Sequence, residues 1–190
     1  MCGHATLASA YVLFECVGIE KDAIMFTSRS GELRVRKENE LYVMDFPVQK
    51  IERCELPREI ADAFTVTPVE CYRAMDYLLV FENESDIVNA APVFEKLRNI
   101  DGRGVIITAN SEEYDFVCRF FAPKYGINED PVTGSAFTQL VPHWNGVTGQ
   151  SSFDAKQVSS RGGEVFCKLQ GDRVEISGYA VKYLEGSINL

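Results

Sequence analysis

Histidine, tryptophan, basic side chains and long apolar runs are all scarce in this sequence, and each shortage removes a class of function. Only two histidines occur, His4 and His143, and one tryptophan. Neither histidine stands at ligand spacing from a cysteine, and the six cysteines (Cys2, Cys16, Cys54, Cys71, Cys118, Cys167) contain no CxxC pair, so no zinc site is expected. Scattered in this way, the cysteines read as reduced, mostly buried thiols of a cytoplasmic protein. Lys and Arg number 19 against 28 Asp and Glu, for a net charge of -9. Broad binding to nucleic acid or to anionic membrane needs clustered cations, so neither partner is expected. Apolar runs such as YLLVF at residues 77–81 fall far short of the roughly 20 residues a membrane-spanning helix needs. The first residues do not read as a secretory signal.

What remains is an ordinary globular composition, 46% apolar and 25% charged over 190 residues, enough for a substantial core. HATLASAYVLFECVG reads as a helix with so broad an apolar stripe that burial on most sides is expected, and Gly18 is its stop. Strands follow at 23–28, 33–37 and 41–46, with RSGE turning between the first two. A linker is placed around 47–56, which divides the chain into a first domain at 1–50 and a second at 57–190. Pro57 marks a helix start, and strands are expected at 69–74 and 77–82. One or two helices span 85–98, with Ser85 as N-cap and Pro92 in the first turn of the second. GVIITAN and YDFVCRFFAP read as strands, and GSAFTQLVPHW as a helix limited by Pro142. The tail alternates strands and turns, with a hairpin at QGDR and a tight corner at RGG. The fold class is α+β rather than a regular βαβ chain.

Chemistry concentrates in YGINEDPVTGSAFTQL, residues 125–140. Pro131 forces Asp130 into extended backbone, and Thr133, Gly134 and Ser135 lead into a helix. The free amides of a helix start attract an anion, and Gly134 allows close approach to the backbone. The chain's first residues repeat the pattern: Gly3-His4-Ala5 opens one helix as Gly134-Ser135-Ala136 opens another. Two helix starts aimed at one cleft would stabilise a developing enolate or carbanion, which suits proton transfer beside a carboxyl group. Each feature alone has a plainer reading. Gly-Ser is a common cap, a lone histidine is often structural, and Asp-Pro is a turn signal.

CGHATLASA, GINEDPVTGSA, SSRGGEV and DRVEISGYAV, in that order, resemble the phenazine-biosynthesis PhzF-like isomerase family, whose fold is shared with diaminopimelate epimerase. The resemblance implies two related domains, each a curved mixed sheet around a central helix, with the site in the cleft between them. It implies His4, Asp130 and Ser135 as catalytic residues, and Gly3, Ala5, Thr133, Gly134 and Ala136 as substrate-binding ones. It also implies a small carboxylated substrate and neither metal nor organic cofactor. Gly3 and Asp130 match the positions where epimerase relatives carry paired catalytic cysteines. Two departures stand out. Family members ordinarily have a segment before the CGHAT motif that supplies opening strands and a proton-carrying glutamate, and many carry a histidine where this chain has Phe137. An incomplete first domain is therefore expected, its apolar surface covered by a second copy in a homo-oligomer. The leading reading is a cofactor-independent isomerase. The alternative is a catalytically inactive relative that acts as a binding protein. A third, a thiol epimerase using Cys2 and Cys118, is weakened because neither cysteine falls on the matching position.

Overall fold

The computed structural model describes residues 3–28 and 31–188. The RSGE turn and Cys2 therefore lie wholly or partly outside the described residues. Twelve strands join in one mixed sheet: β1 (Ala23–Ser28), β2 (Gly31–Glu38), β3 (Leu41–Pro47), β4 (Glu52–Arg53), β5 (Glu70–Arg73), β6 (Tyr77–Val80), β7 (Val105–Asn110), β8 (Phe116–Ala122), β9 (Ile127–Asp130), β10 (Ser152–Gln157), β11 (Gly163–Gln170) and β12 (Arg173–Gly178). Their order is β1-β2-β3-β12-β11-β10-β8-β7-β6-β5-β4, with β9 added to β8. Among the described residues only the β6–β7 and β8–β10 pairs are parallel. β12 pairs with β3, so the last strand of the chain lies beside one of its first.

Alternation along the central strands divides two cores. Leu78, Ile106, Cys118 and Phe120 face one side; Leu79, Ile107, Val117 and Phe121 face the other. Burial on both faces explains why YLLVF and the VII of GVIITAN are continuously apolar. The first side packs on helices α1 (Gly3–Tyr11) and α5 (Phe137–Thr148). The second is covered by the short helices α2 (Arg58–Ala61), α3 (Glu84–Val88) and α4 (Phe94–Leu97) through Ile60, Ile87 and Leu97. β10, and β12 at Val174 and Ile176, bury every second residue, as their mixed sequences require.

Several local expectations are corrected. α1 is not buried on most sides: Thr6 and Ala10 are buried, while His4, Ala5, Ala8 and Ser9 are exposed. It continues as a π-helical segment, Val12–Cys16, and ends at Gly18, whose φ of 76° is the left-handed stop. Pro142 does not limit α5, which runs through it to Thr148. A proline at 142 cannot donate to the Thr138 carbonyl, and the Gln49 amide takes that place at 3.0 Å. The cap of α3 is Asn83, not Ser85, because Asn83 and Asp86 form a reciprocal capping box. Pro92 precedes α4, whose cap is Val93. β4 lies in the stretch read as linker and pairs with β5. β9 was not foreseen as a strand, although the extended backbone at Asp130 was. Gly171, with a φ of 62°, turns the QGDR hairpin.

Among the described residues no helix is long and apolar enough to cross a membrane.

Candidate active site

α1 and α5 bring their amino ends together. A one-turn 3-10 segment, Gly134–Ala136, leads directly into α5. A Cβ built on Gly3 would lie 3.8 Å from the Gly134 Cα, and one on Gly134 would lie 3.9 Å from the Gly3 Cα. Any larger side chain would fill the gap between the helix starts. A helix start presents amides that have no intrahelical partner and the positive end of the helix dipole.

Two clefts flank this contact. One, of about 210 Å³, is lined by Gly3, His4, Arg103, Asp130, Thr133, Gly134 and Ser135, with Phe120 and Tyr125 as its apolar wall. The other, of about 270 Å³, shares Gly3, His4 and Gly134 but is mostly apolar, through Leu7, Met44, Val132 and Ile176, with Arg161 and Glu164 among its polar lining. Six of the eight residues singled out in sequence thus line the first cleft. Ala5 is exposed on α1 just beyond it, and Ala136 is fully buried in the core behind it.

Asp130 is fixed from three directions. β9 places it opposite Phe120 on β8. Thr133 Oγ1 donates to its Oδ2 at 2.6 Å, and the buried Gln157 side chain donates to its carbonyl at 2.6 Å. Gln157 Oε1 in turn accepts the Thr133 amide at 2.8 Å. The loop that follows is clamped by the SSRGG stretch: Ser159 Oγ donates to the Pro131 carbonyl, and Gly163 packs so closely that a Cβ there would run into Val132. The carboxylate's Oδ1 has no hydrogen-bond partner among the described residues, nor does the His4 ring, so both remain available to a ligand.

Ser135 is bound by a residue that sequence reasoning missed. Arg103 Nη2 donates to Ser135 Oγ at 2.9 Å, while Nε donates to Asp76 Oδ1 at 2.8 Å and Nη2 to Asp76 Oδ2. Asp76 is fully buried and also accepts from Gln139 Nε2 at 2.9 Å. The guanidinium lies over the Phe120 ring, 5.2 Å from its centroid. No local sequence signal links this pair; the sheet topology does. Asp76 immediately precedes β6 and Arg103 precedes β7, and two parallel neighbours bring such flanking residues together.

A thiol mechanism finds no support at Cys118. It is buried in β8, and desolvation pushes its pKa up, away from the reactive thiolate. Cys2 lies outside the described residues. Among these residues no group of three or more His, Cys, Asp or Glu side chains is placed to hold a metal ion.

Known proteins place this architecture. Residues 1–186 match the family described as phenazine biosynthesis-like protein. An uncharacterized isomerase of Pseudomonas aeruginosa is 42% identical over 190 residues, covering all of this chain and 73% of that protein. The crystal structure of a PhzF-family phenazine biosynthesis protein from Enterococcus faecalis superposes with a TM-score of 0.95 at 41% identity, covering all of this chain and 74% of that one. A hydroxyproline epimerase from Agrobacterium vitis, at 12% identity and a TM-score of 0.58, shares the fold. The family match spans nearly the whole sequence: this chain belongs to the phenazine biosynthesis-like, PhzF family of isomerases.

Proposed function

We propose that the Asp130 cleft catalyses proton transfer on a small carboxylated metabolite, cyclic or unsaturated, removing a proton at one carbon and returning it at another without a metal or organic cofactor. Asp130 carries the proton. Thr133 holds one of its oxygens, the other has no hydrogen-bond partner among the described residues, and the residue lines the cleft. His4 and Ser135 hydrogen-bond the substrate, and the amides at the two helix starts stabilise the negative charge that develops as the proton leaves. The observation that carries this reading is the meeting of Gly3 and Gly134 beside a positioned carboxylate. One anion placed there lies within reach of both helix ends.

Isotope exchange tests it. The protein is incubated in deuterated buffer with a panel of cyclic unsaturated carboxylic acids, and carbon-bound deuterium is read by NMR. Incorporation is expected in wild type, with a loss of about 10²- to 10⁴-fold in Asp130→Asn. Equal exchange in both removes Asp130 from the chemistry. Saturable binding with no exchange on any acid favours the non-catalytic binding protein.

A further inference from the structure

The cleft contains a guanidinium whose donors are only partly used. Arginine has five N–H donors in a fixed plane. In Arg103 the Nε proton goes to Asp76, and the two Nη2 protons go to Asp76 and Ser135. Neither Nη1 proton has a partner among the described residues, and Arg103 lines the cleft with a quarter of its side chain exposed.

Asp76 explains why the plane cannot turn. It has no exposed surface and accepts three hydrogen bonds, two from Arg103 and one from Gln139. A buried carboxylate left without partners is strongly unfavourable, so this pairing resists opening. Phe120 supports the guanidinium from one face. The same geometry sets the direction of Ser135. Arg103 occupies a lone pair on Oγ, the hydroxyl proton must point elsewhere, and no protein acceptor takes it among the described residues. A cation that donates to a hydroxyl also makes that hydroxyl a stronger donor.

Resting on the proton-transfer reading of this cleft, we infer that Arg103 is the carboxylate-receiving residue of the site, and that Asp76 positions it. The Nη1 edge and the Ser135 hydroxyl together bind the carboxylate of the metabolite, beside the Gly134 helix start. The substrate is thereby anchored with its reacting carbons turned toward Asp130, which shares the cleft. Because Asp76 already balances the charge of Arg103, the site selects by direction rather than by net charge.

That distinction gives the test, with benzoate as probe. Benzoate carries a planar carboxylate and no acidic carbon-bound hydrogen, so its binding reads the subsite without any proton transfer. Binding is followed by calorimetry and by amide shifts of Gly134 and Ser135. Arg103→Lys keeps the charge but cannot reach Asp76 and Ser135 at once, and is expected to weaken benzoate at least tenfold. Asp76→Asn removes a negative charge, so simple electrostatics expects tighter binding; positioning expects at least a tenfold loss in the folded variant. Arg161→Gln, in the neighbouring cleft, is expected to leave benzoate affinity unchanged. Unchanged affinity in Arg103→Lys, tighter binding in Asp76→Asn, a loss in Arg161→Gln comparable to that in Arg103→Lys, or no saturable binding to wild type each overturns the inference. Should Asp76→Asn fail to fold, the arginine variants decide. The two readings fail separately. Exchange that persists at full rate in Arg103→Lys overturns only the carboxylate subsite, whereas benzoate binding as described with no exchange on any acid overturns only the proton-transfer function.

Discussion

α1 and α5 begin alike and are packed differently. Both open at the cleft with a glycine and a hydrogen-bonding side chain, His4 in one and Ser135 in the other. Beyond that point α5 is buried almost all round, by Phe137, Thr138, Leu140, Val141 and Trp144, whereas α1 buries one narrow face through Thr6 and Ala10. The Ser135 side is also tied by Arg103, and Asp130 by Thr133 and Gln157. No such ties reach His4 among the described residues. The cleft therefore has one wall fixed by packing and polar contacts, and one held by the apolar packing of Leu7, Ala10 and Tyr11 and by the close approach of Gly3 to Gly134. Geometry needed for proton transfer is best carried on the fixed wall, which is where Asp130 and Ser135 stand.

Stability measurements should show this asymmetry at full size. Phe137→Ala empties a fully buried site at the start of α5 and is expected to cost about 3–5 kcal/mol, read as a fall in the urea midpoint at unchanged slope. Ser9→Ala, on the exposed face of α1, is expected to stay within about 0.5 kcal/mol of wild type. Similar costs at both positions would dissolve the distinction between the walls.

A smaller effect should come from the clamp on the Asp130 loop. Gly163→Ala introduces a methyl where Val132 already sits, and Val132 is two residues from Asp130. Overpacking of this kind typically costs about 1–3 kcal/mol. The expected signature is a moderate drop in melting temperature together with a larger loss of deuterium exchange, because the strain is relieved by moving the Asp130 loop. A stability loss with exchange intact would show that the loop tolerates displacement.

On α1 the expected change is in association rather than in folding. Val12 and Val17 stay 47% and 63% exposed, in the same segment as the half-buried Tyr11 and Phe14. A second copy seated on this face would be dispersed by Val12→Asp, seen in sedimentation as a fall from a multiple of 21.3 kDa to that mass, with little change in the monomer's own unfolding. Sedimentation of wild type at the single-chain mass would remove the second copy altogether.

How much of this was legible in the sequence depended on whether the deciding contacts were local. The converging motifs could be read because each is a short stretch: a glycine, a polar residue and a helix start, or an Asp fixed by the proline after it. The buried strands could be read from apolar runs such as YLLVF. The cap at Asn83 lay within three residues of its partner and was displaced by the competing signal of Ser85. Long-range compensation could not be read. Nothing near Pro142 says that the Gln49 amide, over ninety residues away, will satisfy the carbonyl that the proline abandons. Nor does local pattern link Asp76 to Arg103, which meet only because β6 and β7 are parallel neighbours. The openness of α1 escaped for a related reason, since an apolar stripe states which residues can be covered and not how many elements come to cover them.

The buried histidine of α5 offers the finest probe of the fixed wall. His143 is 6% exposed, packed against the rings of Tyr72 and Trp144, and its Nε2 lacks a partner among the described residues. Burial disfavours the imidazolium and lowers its pKa from the ordinary 6.5, against a weaker upward pull from Glu70. With the folded value below the unfolded one, both states hold neutral histidine above pH 6.5 and the group is indifferent to folding. As pH falls below 6.5 the unfolded chain takes up a proton that the folded chain refuses, so stability is lost until the folded value is reached. Urea midpoints are therefore expected to fall between pH 7.5 and 5.5 in wild type, and to fall less in His143→Gln, which has no proton to gain. Equal slopes in the two proteins would mean that α5 opens enough to hydrate the imidazolium, and the contrast between a fixed and an open wall would then have to rest on Phe137 and the Arg103 network alone.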